Sequence, residues 1–177
     1  MANTNAPYGL RPSRHLTGGV TRTTEYSISA SYTTKIYMGD PVGLSSGNIV
    51  IGTNAGTAHV GVFAGVKYIN AKGENVFSKY WTGETGATEI KALVWDDPAQ
   101  IFAIESTTFG TANIGVAYDL AVAAGVTTIG LSKTVLNVAA TSGASYKVLG
   151  KVDRDDNETG AYAEVEVIAV KHALASS

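Results

Sequence analysis

The 177-residue sequence has no cysteine, which excludes disulfides and thiolate metal sites. It is also short of charge: Asp, Glu, Lys and Arg make up 16% of it, and the net charge is -2. Nucleic acid is thereby set aside as the main partner, because phosphate binding needs a basic face. No run approaches the roughly 20 continuous apolar residues of a membrane-spanning helix. The opening residues lack the basic and then apolar order of a secretory signal. The expectation is a protein made in a cytoplasm, in which the sequon at Asn157-Glu158-Thr159 has no glycosylation context. The P-loop, the dinucleotide fingerprint followed by a helix and the H-E-x-x-H zinc pattern are missing as well.

Present instead is a hydrophobic fraction of 45%, enough to bury a real core in a chain of single-domain length. With so few charges, much of the surface must be Ser, Thr, Ala, Gly and Asn. A smooth neutral surface of that kind suits packing against other protein subunits.

The dominant period is two, the signature of strands. In "HVGVFAGVKY", Val60, Val62, Ala64, Val66 and Tyr68 are expected to share one face. In "TEIKALVW", Ile90, Ala92 and Val94 alternate with Lys91, Leu93 and Trp95. In "AYAEVEVIAV", Ala163, Val165, Val167 and Ala169 oppose Tyr162, Glu164, Glu166 and Ile168. Turn clusters such as "MGDPVG", "SSGN", "TNAGT", "NAKGE", "TGETG", "DDP", "TSGAS" and "DDNETG" separate these runs. The best helical pattern, Ala112 to Gly125, fits a strand pair nearly as well because it is rich in Val and Gly. The reading is all-β: an antiparallel barrel or sandwich over residues 26–177, with at most one short helix.

Residues 1–25 differ. Pro7 and Pro12 favour extended backbone, Gly9, Gly18 and Gly19 oppose regular elements, and the first acidic residue is Glu25. Tyr8, Leu10 and Leu16 stand as isolated apolar anchors flanking Arg11 and Arg14. Two readings stay open: a disordered tail, or an extended arm that orders only against another subunit.

Motifs of chemistry fit poorly. "GLSSG" matches a nucleophile elbow in letters, but a strand follows it, so Ser45 belongs to a hairpin turn. Asp153, Asp155, Asn157, Thr159 and Glu164 match positions 1, 3, 5, 7 and 12 of a calcium loop, with Glu158 where the template needs Gly. A polar hairpin loop is the simpler account, with a non-helical cation site at Asp153, Asp155 and Asn157 left open. His15, His59 and His172 share no ligand spacing. Asp96 and Asp97 precede Pro98, where carboxylates organise turns, although Asp97 paired with a distant Glu would suit glycan hydrolysis. Neither a cofactor nor a metal is expected, nor an enzyme. The aromatic cluster Phe77, Tyr80 and Trp81 is either core or an oligomer contact.

The opening "MANTNAPYGLRPSRHLTGG" resembles the start of a family of tailed-bacteriophage head structural proteins, the capsid decoration or cement proteins. The resemblance continues through "YMGDPVGL", "HVGVFAGVKYINAKG", "SKYWTGETG", "IKALVWDDPAQIFAIES" and "VLGKVDRDDNETGAYAEVEV", and residues 111–142 are its least distinctive part. It implies a non-enzymatic virion protein on the outer surface of the capsid, bound to the major capsid protein and stabilising the shell. On that reading Tyr8, Leu10, Arg11, Arg14 and Leu16 dock on the capsid protein or a sister subunit, and a homotrimer is the preferred assembly. A tail or baseplate protein, or a capsid-displayed carbohydrate-binding module stacking sugars on Trp81 or Trp95, are the alternatives.

Overall fold

The computed structural model describes residues 3–52, 58–141 and 144–174. The turn expected at "TNAGT" lies outside the described residues, as does part of the one at "TSGAS". Among the described residues the regular elements are strands, joined by one 3-10 turn at Thr111–Asn113. The segment from Ala112 to Gly125 is therefore not a helix. Gly115 takes a φ of 79° directly after the 3-10 turn, and the Val-rich remainder extends into a strand.

The chain opens with β1 (Arg11–His15). Its N-terminal half then supplies β2 (Thr24–Ser27), β3 (Ile36–Tyr37), β4 (Pro41–Ser45), β5 (Asn48–Ile51), β6 (Gly61–Ile69), β7 (Asn75–Ser78), β8 (Tyr80–Trp81) and β9 (Thr88–Trp95). The C-terminal half supplies β10 (Gln100–Glu105), β11 (Thr108–Phe109), β12 (Ala117–Ala121), β13 (Val135–Asn137), β14 (Tyr146–Lys151), β15 (Gly160–Ala161) and β16 (Glu164–Ala169). One six-stranded sheet comes from the first half, in the order β2-β9-β6-β4-β5 with β7 also on β6. The other runs β1-β10-β16-β14-β12-β13, so the N-terminal strand joins the sheet of the opposite half. The strand pairs of both sheets are antiparallel.

Each sheet curls around its own apolar core, bringing β2 against β5 in one and β10 against β13 in the other. The N-half core holds Ile36, Val42, Ile49, Phe63, Val66, Tyr68, Trp81, Ile90, Ala92 and Val94. The C-half core holds Phe102, Ile104, Tyr118, Leu120, Leu136, Tyr146, Val148, Val165 and Val167. Each fully buried Val, Ile, Leu or Phe contributes roughly 1.5–3 kcal/mol relative to exposure, so these alternating positions carry the fold.

One expected face is corrected. The register of β6 on β9 shifts between Phe63 and Gly65, a bulge that reverses the side-chain parity beyond it. Val62 consequently joins the C-half core, while Phe63, Val66 and Tyr68 face the N-half core. A single inserted residue thus lets one strand serve both cores.

Candidate functional site

The N-terminal arm is folded onto its own chain. Among its described residues the one fully buried apolar side chain is Leu10, at 0% exposure within the C-half core. To seat it, the backbone passes against the turn before β4: Leu10 N donates to Gly39 O at 2.9 Å. Gly9 and Gly39 both have positive φ, 77° and 94°, and a Cβ on Gly9 would lie 2.6 Å from Gly39 O. Only glycine fits that crossing. Residues 11–15 then pair with β10, and Pro12 is tolerated because β1 is an edge strand with a register shift beside it. The expected boundary after residue 25 falls inside β2.

Around this strap lies a cradle of carboxylates from the C-terminal half. Arg14 Nε and Nη2 donate to Glu166 Oε2 at 3.0 and 2.8 Å, and Ser13 Oγ donates to Glu166 Oε1 at 2.7 Å. Tyr8 OH donates to Glu164 Oε1, and Arg154 Nη1 holds the other oxygen of Glu164 at 2.7 Å. The Arg11 guanidinium lies 4.2 Å from the Tyr8 ring centroid, a cation–π contact. Ala6 N donates to Glu105 Oε2 at 2.8 Å, and Asn3 Nδ2 donates to Glu158 O and Ala161 O at 2.8 and 3.0 Å. Beside them is a depression of about 460 Å³ reaching Tyr162.

These contacts set the electrostatics. Burial pushes the Glu105 carboxyl up, against the Ala6 N–H, and neighbouring Glu164 adds to the rise. Burial also raises Glu166, but Arg14 and Ser13 outweigh it and leave that carboxyl below its usual range. The Tyr8 phenol is held far above its ordinary value by burial and by its bond to Glu164.

Of the five residues expected to meet a partner, Leu10 lies in the core of its own chain, and Tyr8 is half-buried. Arg11 and Arg14 are exposed but engaged within the chain, and Leu16 is 56% exposed at the end of β1. Nothing in the local sequence announced the burial of Leu10, because its pocket comes from distant residues, Val62 and then Phe102 and beyond.

The aromatic cluster divides. Trp81 is fully buried in the N-half core, its Nε1 donates to Tyr32 O at 2.8 Å, and it meets Tyr68 edge-on at 5.2 Å. Of the two readings left open for it, burial matches the core one, and no face of its ring is open to stack on a sugar. Tyr80 stacks on Tyr37 at 5.6 Å. Phe77 is 73% exposed. It continues a cross-strand row with Lys67 and Lys91, and Lys67 reaches Glu25 while Lys91 Nζ donates to Ser27 Oγ at 3.0 Å. This row lines an open groove of about 680 Å³.

The remaining candidates have structural employment. Ser45 ends β4 opposite Asn48, and Ser46 and Gly47, at φ 48° and 79°, make a two-residue hairpin turn of type I′. Asn157 clamps the β14–β16 connection: its Nδ2 donates to Val152 O and Glu164 O at 2.9 and 2.8 Å, and Glu164 N donates to its Oδ1 at 2.9 Å. Its side-chain oxygen thus faces the hairpin, while Asp153 and Asp155 lie exposed. Asp97 accepts from Ala99 N at 2.9 Å and sits 3.1 Å from His15 Nε2, which together hold its carboxyl below the usual range despite some burial. Asp96 accepts from Thr24 and Tyr26 hydroxyls at 3.0 and 2.8 Å. His59 and His172, unrelated by sequence spacing, form a parallel bridge. Among the described residues no three acidic or imidazole side chains gather as a metal site, and no helix is long and apolar enough to cross a membrane.

Comparison with protein-family models, with curated proteins and with solved structures finds no match to this chain.

Proposed function

We propose that this chain is a non-enzymatic structural protein of a tailed-phage virion, bound to the outer surface of the capsid lattice as a decoration or cement protein. The reading rests on the ordered resemblance from the opening "MANTNAPYGLRPSRHLTGG" to "VLGKVDRDDNETGAYAEVEV". The observation in the fold that supports it best is how the carboxylates are used. Asp96, Asp97, Glu105, Glu164 and Glu166 all accept hydrogen bonds from the chain's own donors. They hold a β scaffold together, as suits a body that binds rather than reacts. Large apolar side chains stay outside it, Phe77, Leu16 and Ile129 among them.

A cement protein stabilises a shell by binding the mature lattice in preference to its precursor, so its binding free energy adds to shell stability by linkage. Contacts repeated around a symmetry axis then act with avidity, and a homotrimer suits three-fold sites on the shell. Quantitative mass spectrometry of purified particles tests the reading. A fixed stoichiometric ratio to the major capsid protein supports cementing, a handful of copies moves the chain to the tail or baseplate, and its absence from the particle overturns the proposal.

A further inference from the structure

The strap is fastened almost wholly to parts of the chain remote from it. Its polar partners outside the strap include Asp97, Gln100, Glu105, Glu158, Ala161, Glu164 and Glu166, while Leu10 sits among side chains of the C-half core. Apart from the Leu10 N to Gly39 O bond at the Gly9 crossing, what joins it to the rest of the N-terminal half is different in kind. Residues 16–23, between β1 and β2, are exposed throughout, include Gly18 and Gly19 and contain Val20 at 86% exposure, and they touch the body through Leu16 N to Ala99 O and Thr21 Oγ1 to Gln100 Oε1, both at 2.9 Å. A firmly seated strand on an exposed, glycine-bearing connector has no contact that requires the strap and its cradle to belong to one molecule.

We propose that the cradle is a docking surface for the strap of a second copy of this chain, so that copies link by exchanging residues 3–15. The contacts are the same in either arrangement, and such exchange is a low-cost route to assembly. Concentration decides between them. A short tether holds its strap at an effective concentration in the millimolar range, so dilute chains close on themselves and crowded chains exchange. The surface laid bare when the strap leaves is the edge of β10, which recruits a strand by backbone pairing. The outer edge of β1 does not compete for that role, because Pro12, the register shift and two arginines blunt it. The proposal concerns copies of this chain alone and stands independently of any capsid.

The absence of native cysteine makes the test clean. Arg11 and Ala103 are directly paired across β1 and β10, and such pairs have Cα atoms roughly 4.5–5.5 Å apart, within disulfide range. A chain carrying both Arg11→Cys and Ala103→Cys closes an internal disulfide and calibrates the geometry. Chains carrying one substitution each are then mixed in equal amounts, incubated and oxidised. The expected result is an interchain 11–103 link, identified by peptide mass, that is absent in the micromolar range and prominent near about 1 mM. Absence of that link near 1 mM, while the double variant closes internally, overturns the proposal. Light scattering of the unsubstituted chain gives a reading free of cysteine chemistry. A monomer at about 1 mM, or an oligomer whose single-cysteine counterparts form no 11–103 link, also overturns it.

Discussion

The two ends of the chain cross onto opposite halves of the molecule by different chemistry. The N-terminal strap reaches the C-half sheet through the pairing of β1 on β10, one buried leucine and a shell of partly buried carboxylate contacts made by side chains that are themselves largely at the surface. The C-terminal residues reach the N-terminal half through backbone bonds, from His59 N to Lys171 O at 3.2 Å and from Ala173 N to His59 O at 2.9 Å. Here the side chains are sheltered: His59 is buried and stacks on Tyr146 at 5.8 Å between ring centroids. Polar contacts at a surface exchange readily with water and with other partners, whereas buried stacking does not. The comparison assigns adaptability to the N-terminal crossing and permanence to the C-terminal one.

The largest expected effect tests whether the strap belongs to the folded unit. Leu10→Ala removes a fully buried side chain and is expected to cost about 2–5 kcal/mol in chemical denaturation. A loss under about 1 kcal/mol would mean that the strap detaches without weakening the C-half sheet. Next comes the cradle itself. Asn157→Ala strips the clamp from two carbonyls and from Glu164 N, at a cost of about 1–3 kcal/mol for the buried groups left unpaired. An unchanged denaturation midpoint would show that Glu164 is positioned without it.

Smaller, but diagnostic, is the response to pH, because the two crossings have opposite signs. Burial holds the His172 imidazole below its ordinary value, although Asp96 and Asp97 pull it upward. The unfolded chain therefore takes up a proton that the folded chain refuses. Stability from this group is present above about pH 6.5 and is lost as the pH falls through the folded value. Glu105, raised by burial, works the other way. Its contribution is fully present below about pH 4.3 and is lost as the pH rises through the folded value. In a series of Tm against pH, His172→Gln should remove a slope that falls toward acid and Glu105→Gln one that rises toward acid. Slopes of the same sign would break the comparison.

What the sequence disclosed follows from how local each feature is. The alternation of Ile90, Ala92 and Val94 and of Ala163, Val165 and Val167 reads directly, because each strand packs one face on one core. The face of β6 does not, because the bulge between Phe63 and Gly65 depends on its pairing with β9 and has no compositional mark. Leu10 is lone in sequence and central in space, and Trp81 lies two positions from a charged residue yet is wholly buried. Burial built from distant segments is invisible to any window of neighbours. The same limit applies to Asn157, whose place in a polar loop suits either a ligand or a clamp until its partners are known.

Phe77→Ser gives the smallest expected effect on stability and separates folding from binding. Phe77 is 73% exposed on the outer face of β7, away from both crossings. It therefore has little apolar burial to lose, and the change in unfolding free energy should stay within about 0.5 kcal/mol. A large exposed aromatic beside paired lysines has a different value at an interface, where aromatic anchors carry a disproportionate share of binding energy. If the chain binds a capsid lattice as proposed, particles reconstituted with the variant should carry fewer copies than those given the native chain, although both proteins melt alike. Equal occupancy would remove the outer face of the N-half sheet from the proposed binding surface and leave the strap, proposed to exchange between copies, as the remaining candidate. A marked loss of stability would instead mean that this face is covered within the folded molecule, and the contrast between an adaptable N-terminal crossing and a fixed remainder would need to be redrawn.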